Sequence, residues 1–367
     1  MDKTRLSIVV PTFNESANIK NLIVELIKLE KYYSIEIIVV DDNSEDNTAE
    51  IVKNISKIKP QVRILSRLGR SGLASAIKEG LINSTGEIAV VMDADGQHEP
   101  SSIVEGVNLL NSEKLDLVLG SRFHKKSSIR GLSNKREKGS TWANQCARKS
   151  LSKKYKFLTD YMTGFFILKI NKTIDLVKIL NINGFKFLYE LLSLSKGKLR
   201  VSEFPLTFQE RKGGDSKLDL AVFWDFLISL IHTLTLRIFP RRAISFGMVG
   251  FSGIIVQLII NKIITSNTNM IFEMALAISV VCAATSNYLI NNILTFRSSR
   301  LKGRRLVFGL VKFLIVSILP VIANVGIASA FYNLISRNSF LAQLAGIVLV
   351  YVWNYIASSR FVWNNPN

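Results

Sequence analysis

Cysteine is nearly absent. Cys146 and Cys282 are the only two in 367 residues, and their spacing suits no metal, so neither a disulfide framework nor a zinc site is supported. Cys282 falls in an apolar run and reads as a small packing residue. Glycine is missing from the turn after the first apolar run, Pro11-Thr12-Phe13-Asn14-Glu15. A nicotinamide-binding domain needs G-x-G-x-x-G there, and no Walker lysine motif occurs anywhere in the chain, so both readings fall. No secretory leader is expected: the start M-D-K-T-R-L-S-I-V-V-P has only a five-residue, mostly apolar run, Leu6–Val10, too short for a signal peptide. The N-terminal domain is therefore expected to stay in the cytosol. Acid is scarce in the second part, where residues 243–367 carry 9 Lys+Arg against 1 Asp+Glu, while residues 1–242 carry 38 and 27.

What remains is strongly basic. A formal charge of +19 favours anionic partners, and long apolar runs make these lipid headgroups and phosphates rather than nucleic acid. The polar first part reads as a globular domain and the apolar second part as membrane-embedded.

The centre of the first part is Ile88–Pro100, I-A-V-V-M-D-A-D-G-Q-H-E-P. Ile88 to Met92 reads as a strand buried on both faces. It runs into Asp93 and Asp95, and Gly96 breaks it. Paired acids at the carboxyl end of such a strand stand where open α/β sheets bind ligands. Hard oxygen donors of this kind suit Mg²⁺ or Mn²⁺, which in turn hold diphosphates.

Other strands read the same way: Leu6–Val10 stopped by Pro11, Ile35–Val40 ending in Asp41-Asp42, Val62–Leu65, and Leu115–Leu119 before Gly120-Ser121-Arg122. Between them lie helical patterns, with Ile19, Leu22, Ile23, Leu26 and Ile27 in the first. Asp46 is expected to cap a helix over 47–57, and Ser71 one that ends at Leu81. Strands alternating with helices predict an α/β fold with a mostly parallel sheet. Its one edge gathers Glu15, Asp41, Asp42, Asp93 and Asp95 in a single cleft.

Residues 122–217 are irregular and rich in arginine: Arg122, Arg130, Arg136, Arg148 and Arg211, with Ser140 four residues after Arg136 on the same helical face. Arginine forks match phosphate oxygens in pairs. From Leu218 to Leu236, Asp225, Ser229 and His232 share one face opposite a wide apolar one. This predicts an interfacial helix, backed by Arg237, Arg241 and Arg242, with a core helix of the soluble domain as the alternative. Four uncharged runs follow, Phe246–Asn261, Met274–Phe296, Phe313–Ser336 and Asn338–Ser359, each near the roughly 20 residues that a span needs. Basic residues crowd before the first run and at 297–305, whereas Ser266–Asn269 holds none and the last loop only Arg337. The positive-inside rule then puts the soluble domain, the 297–305 loop and the C-terminus in the cytoplasm.

Seven motifs in order resemble a known family: P-T-F-N-E at 11–15, V-V-D-D-N-S at 39–44, G-L-A-S-A at 72–76, D-A-D-G-Q-H at 93–98, G-S-R-F at 120–123, T-G-F-F at 163–166 and R-K-G-G-D-S-K-L at 211–218. Together they resemble the family 2 inverting glycosyltransferases of GT-A fold, in particular the polyprenyl-phosphate transferases of dolichol-phosphate mannose synthase type. The four spans are similar to a GtrA-like membrane domain. The resemblance implies a GT-A, Rossmann-like domain over 1–217, an interfacial helix and linker over 218–242, and four spans over 243–367. The protein would then be an integral protein of the plasma membrane.

It also implies roles. Pro11, Phe13, Glu15, Asp41 and Asp42 would line the nucleotide pocket, with Ala94 and Lys217 also on the nucleotide sugar. Asp93, Asp95 and Gln97 would hold the metal and, through it, the diphosphate. Arg122, Arg136, Ser140 and Arg211 would receive the acceptor phosphate, with Ser216 in the same loop. Asp95, Arg122 and Arg211 would carry catalysis. The implied reaction moves mannose from GDP-mannose to dolichyl phosphate; UDP-glucose with undecaprenyl phosphate is the alternative. A processive synthase is disfavoured because Q-x-x-R-W is missing. Two departures stand out: Gly96 replaces a bulkier apolar residue, and Tyr161-Met162-Thr163 replaces Pro-x-Ser before Gly-Phe-Phe.

Overall fold

A computed structural model of the chain describes residues 3–69, 72–129, 134–180, 186–208, 220–317 and 339–363. The chain forms two compact units, Met1–Leu234 and Thr235–Asn367.

The first unit is built on β1 (Arg5–Thr12), β2 (Ser34–Asp41), β3 (Val62–Ser66), β4 (Ile88–Val91), β5 (Leu117–Ser121), β6 (Ser128–Ile129), β7 (Phe166–Lys169), β8 (Val201–Pro205) and β9 (Thr207–Phe208). Seven of these make one sheet in the order β3-β2-β1-β4-β7-β5-β8, while β6 and β9 pair separately. Only β7 runs antiparallel to its neighbours in the large sheet. Helices α1 (Ile19–Ile27), α2 (Thr48–Ser56), α3 (Leu73–Ile82) and α4 (Ser102–Ser112) make the crossovers. Then come α5 (Asn134–Ser150), α6 (Ile170–Ile179), α7 (Phe187–Ser195) and α8 (Leu220–Leu234).

The central strands are largely apolar because both faces are covered. Ile8, Val10, Ile37 and Val90 face a core with Ile23 and Val107. Val9, Val40, Val91 and Leu119 face a second core with Ile77, Phe166 and Tyr189. Each fully buried aliphatic side chain contributes about 1.5–3 kcal/mol, so the strands are fixed from both sides.

The expected mostly parallel sheet is present, with shifted edges. Pro11 does not stop β1, since it pairs with Val40 and Thr12 with Asp41. The reason is local. The Val9 carbonyl accepts from Met92 N–H, so alternation turns Pro11's missing donor toward β4, whose ladder with β1 ends at Val9↔Val91. The fifth strand lies two residues later than expected, at Leu117–Ser121. At α2 the N-cap residue is Asn47, without a side-chain cap bond; the Asp46 carboxylate nonetheless accepts from Thr48 N–H at 3.1 Å. Ser71 lies outside the described residues, and the N-cap of α3 is Gly72 at φ +92°.

In α8 the polar stripe faces the protein, not water. Ser229 is buried beside Phe226, and Thr233 bonds Ser193 of α7 at 2.9 Å. Apolar Phe223 and Leu234 are the exposed residues.

In the second unit, α9 (Arg241–Asn267) and α10 (Phe272–Ile290) pack together. Among the described residues, Arg241–Asn267 and Met274–Thr295 are long and apolar enough to cross a membrane. Helix α11 is described over 304–317, and α12 covers Ser339–Ala357. Most of the third expected span lies outside the described residues. Both α10 and α12 run on into π-helical turns, Asn291–Thr295 and Ser358–Val362.

The contacts of these two helices repeat as well, at 67 positions (246 to 313, 288 to 355, 296 to 363). Phe246 meets Tyr355 at 5.8 Å and Phe296 at 6.4 Å; Phe313 meets Tyr288 at 5.6 Å and Trp363 at 5.8 Å. Phe296 and Trp363 stack face to face at 4.2 Å, joining the two halves.

Candidate active site

The carboxyl ends of β1 and β2 are stitched into one floor. Asn14, at φ +58°, donates its N–H to Ser44 Oγ and accepts Glu45 N–H on Oδ1. Ser16 N–H reaches Asp46 Oδ2 at 3.0 Å, and Glu15 N–H reaches Thr48 Oγ1 at 2.9 Å. Glu15 takes a bond from Asn18 Nδ2 at 2.9 Å. Phe13 is half-buried and Pro11 buried at this edge. Asp41 is occupied within its own loop, accepting Ser44 N–H at 3.0 Å and Thr12 Oγ1–H at 3.3 Å. Asp42 accepts Arg67 Nη1–H at 2.9 Å and Gly72 N–H at 2.7 Å, which draws the G-L-A-S-A segment onto the same edge.

Asp93, Ala94 and Asp95 leave β4 beside this floor. Asp95 and Ala94 are buried, while the Asp93 side chain keeps 32% of its surface. The turn is sharp: Gly96 sits at φ +74°, a conformation that glycine adopts without strain, and Gln97 N–H returns to Asp95 Oδ1 at 3.1 Å. The departure at Gly96 thus eases the turn.

Gly164 of T-G-F-F explains another fixed residue. A Cβ built on it would lie 2.6 Å from the Asp93 carboxyl carbon, so only glycine leaves this carboxylate its place. His98, its ring tilted 42° against Phe165 at 5.5 Å, puts Nε2 3.7 Å from Asp93 Oδ2. Burial pushes the Asp93 carboxyl up, but His98, Lys186 and Arg122 together outweigh it and hold the group below the usual carboxylate range.

Arg122, at the end of β5, faces these acids. Burial pushes its guanidinium down; Asp160, then Asp93 and Asp95, more than reverse this and raise it. All three carboxylates are therefore within electrostatic reach of one fork. The fork itself is held by Asp160, fully buried, through Nε at 2.6 Å and Nη2 at 3.0 Å.

Asp160, Lys186 and His98 were not singled out by sequence reasoning. His98 ends the D-A-D-G-Q-H motif and Asp160 directly precedes Tyr161-Met162-Thr163, and their arrangement shows only once β5 and the 159–165 turn are neighbours. Lys186 carries no local signal. It is the N-cap residue of α7, and burial, then Arg122, pushes its ammonium down to about 8 against the pull of Asp93 and Asp160.

Ser140 is half-buried on α5; Glu137, Lys138, Thr141, Trp142 and Gln145 around it line a cavity of about 380 Å³. The Arg136 side chain, Arg130, Arg211, Ser216 and Lys217 lie outside the described residues. Exposed Arg148 is not brought to the acids by any described contact. The second departure has a structural use: Tyr161 N–H binds Asn144 Oδ1 at 2.8 Å and its hydroxyl the Tyr155 carbonyl at 2.7 Å.

Among the described residues no group of three or more His, Cys, Asp or Glu is arranged to hold a metal ion. Asp93 and Asp95 alone still fit one that keeps waters and substrate oxygens, as Mg²⁺ does with one or two carboxylates plus phosphates.

A mostly parallel sheet whose carboxyl edge joins a stitched loop floor, paired acids and a fixed guanidinium suits the class of transferases that handle phosphorylated donors. Residues 7–174 match the model of glycosyl transferase family 2, and residues 245–363 that of the GtrA/DPMS transmembrane domain. A dolichol-phosphate mannosyltransferase from Pyrococcus furiosus is 31% identical over 98% of this chain and 99% of its own length. Enzymes of the same name from Mycosarcoma maydis and Saccharomyces cerevisiae are 30% and 32% identical, over 69% and 61% of this chain and 84% and 85% of theirs. Glucosyl-3-phosphoglycerate synthase from Mycobacterium tuberculosis superposes with a TM-score of 0.48 at 21% identity, over 64% of this chain and 80% of that one. The chain belongs to the dolichol-phosphate mannosyltransferase family, in the group that carries a GtrA/DPMS transmembrane domain.

Proposed function

We propose that this protein transfers mannose from GDP-mannose to dolichyl phosphate at the cytoplasmic face of the plasma membrane, giving dolichyl phosphate mannose and GDP. The observation that carries this reading is the Arg122 fork, fixed at 2.6 Å and 3.0 Å by buried Asp160 within electrostatic reach of Asp93 and Asp95. A bound Mg²⁺ or Mn²⁺ would offset the charge developing on the leaving diphosphate.

The chain's own residues do the rest. Phe13, Glu15 and the stitched 12–18 and 41–48 loops receive the nucleoside, and Asp42 keeps the 72–76 segment against them. Asp93 and Asp95 would hold the metal, with Gln97 beside them. Arg122, joined by Arg136, Ser140 and Arg211, binds the acceptor phosphate. A lipid monophosphate is already anionic at neutral pH, so no strong base is needed. Its oxygen attacks the anomeric carbon from the face opposite the diphosphate, and the configuration inverts. Holding two repelling anions in line lowers the barrier by proximity and charge. Helix α8 lies in the membrane interface, four spans anchor the unit, and the basic 297–305 loop stays cytoplasmic.

The test uses purified full-length protein with labelled GDP-mannose or UDP-glucose, and short dolichyl or undecaprenyl phosphates, with and without EDTA. EDTA-sensitive mannosyl transfer from GDP-mannose to dolichyl phosphate is expected. Transfer from UDP-glucose alone would replace the donor assignment, and no transfer with any pair would overturn the reading.

A further inference from the structure

Arg122 stands between two claims. It must meet a phosphate, yet it lies within reach of Asp93 and Asp95, whose oxygens a divalent cation needs. A loose guanidinium there would pair with a carboxylate as a two-pronged fork and compete with the metal for it. The structure closes off that collapse. Asp160 takes Nε at 2.6 Å, Nη2 at 3.0 Å and the Arg122 backbone N–H at 3.3 Å. Met162 N–H completes it at 3.1 Å.

Asp160 is itself held on both sides. Tyr161 N–H is tied to Asn144 of α5. Thr159 is tied to Glu203 of β8 at 2.7 Å and 2.9 Å and, through its hydroxyl, to Ser121 at 2.5 Å. The residues before the arginine and before the aspartate are thus bonded to each other, and the ion pair sits on a rigid seat.

We propose that Asp160 is a positioning residue that keeps the Arg122 fork off the Asp93 and Asp95 carboxylates, leaving the acids open to a divalent cation and the arginine to a phosphate. This rests on the transferase reading above. It gives Asp160 no acid–base part: the carboxylate is fully buried, and both its oxygens already accept two bonds.

The test measures Mn²⁺ binding to the full-length protein without substrates, by the electron paramagnetic resonance of free Mn²⁺, beside thermal unfolding. Asp160→Asn removes the anchor's charge. Asp160→Glu keeps the charge but pushes the fork forward by one methylene. Both should weaken Mn²⁺ binding about tenfold, the lower end of what outer-shell changes cost metal sites. The double variant Asp160→Asn/Arg122→Gln replaces the ion pair by a neutral pair of similar size and removes the competitor, so it should bind Mn²⁺ at least as tightly as the wild type.

A folded single variant that keeps wild-type Mn²⁺ affinity overturns the proposal, as does a double variant as weak as Asp160→Asn. A field effect without movement of Arg122 would spare Asp160→Glu, and that result also overturns it. Should neither single variant fold, the double variant is compared with the wild type, and Mn²⁺ affinity clearly below the wild-type value overturns the proposal. Failure of the transferase reading would look different: the wild type itself would bind no Mn²⁺ and transfer no sugar.

Discussion

The two units differ in whether they bury charge. The first unit buries neutral groups such as Thr12 and Ser121 but also matched charges, Arg122 with Asp160 and Arg67 with Asp42. In the second, among the described residues, they are neutral: Asn291, Asn292, Thr295 and Ser245 bond to carbonyls, amides and one another. Withdrawing ions from water is costly even when they are paired. That cost falls in the first unit at the edge where the proposed function places anions and a divalent cation. Nothing charged has to be met inside a helical anchor, and neutral amides can tie helix ends at lower desolvation cost. Matched buried charge gathers at the carboxyl edge of the sheet, and buried amide ties the helix ends of the second unit, its joints.

The sharpest way to break that contrast is to remove a charge from the edge. Asp95→Ala should lower transfer by roughly a thousandfold or more, as loss of a main electrostatic group does, with thermal unfolding little changed. Initial rates with labelled donor measure this. Turnover near the wild-type value would mean that the buried acids belong to packing and that the assignment of the site is wrong.

Gly164→Ala tests the edge without touching its charge. The new methyl would overlap the Asp93 carboxylate, and displacing a reacting group by about 1 Å costs on the order of a hundredfold. A drop in kcat of that size, beside an unfolding midpoint lowered by an overpacking cost of about 1–3 kcal/mol, is expected. An unaffected kcat would show that Asp93 tolerates displacement.

Much of the fold could be read from the chain because its strands are buried on both faces, and a short continuous apolar run such as Ile88–Val91, followed at once by acids and a glycine, fits the inside of a sheet far better than a helix. Edges were harder to read. Pro11 resembles a stop, and only the register against β4 makes it tolerable. The paired acids and Arg122 were legible, since D-x-D and G-S-R-F announce chemistry locally. Asp160, His98 and Lys186 were not. Their parts depend on β7 and the 159–165 turn folding back between β4 and β5, a non-local pairing without local sequence trace. The repeat in the membrane unit went unseen for a similar reason: Phe246/Phe313 and Tyr288/Tyr355 are isolated matches 67 positions apart, Phe296/Trp363 match only in shape, and the contacts alone show that they correspond.

Moving to the joints should shift the loss from rate to stability. Asn292 Oδ1 accepts Leu301 N–H at 2.8 Å and Trp363 Nε1–H at 3.1 Å, while its Nδ2 donates to the Leu301 carbonyl at 3.0 Å. Asn292→Ala strands three buried partners at about 1–3 kcal/mol each before relaxation. A marked fall in unfolding temperature in detergent is expected, with turnover per folded molecule unchanged. If turnover fell while stability held, the membrane unit would share in the chemistry and the contrast between the units would fail.

Tyr288→Phe should give the smallest effect and is the cleanest probe of a single joint. The Tyr288 ring is fully buried, packed against Phe313 at 5.6 Å and Trp363 at 5.4 Å, and phenylalanine keeps all of that contact. Only the hydroxyl is lost, which donates to the Leu306 carbonyl at 2.7 Å. That carbonyl is at the start of α11, where Leu306 is half-buried and water can partly replace the donor. The net cost is then about 1 kcal/mol, read as a shift of a few degrees in unfolding temperature, with donor and acceptor KM unchanged. Tyr355 takes the matching place 67 positions on (288 to 355), against Phe246. If the two halves are equivalent joints, Tyr355→Phe should cost no more than Tyr288→Phe, and a much larger loss at either tyrosine would show that one half carries the unit.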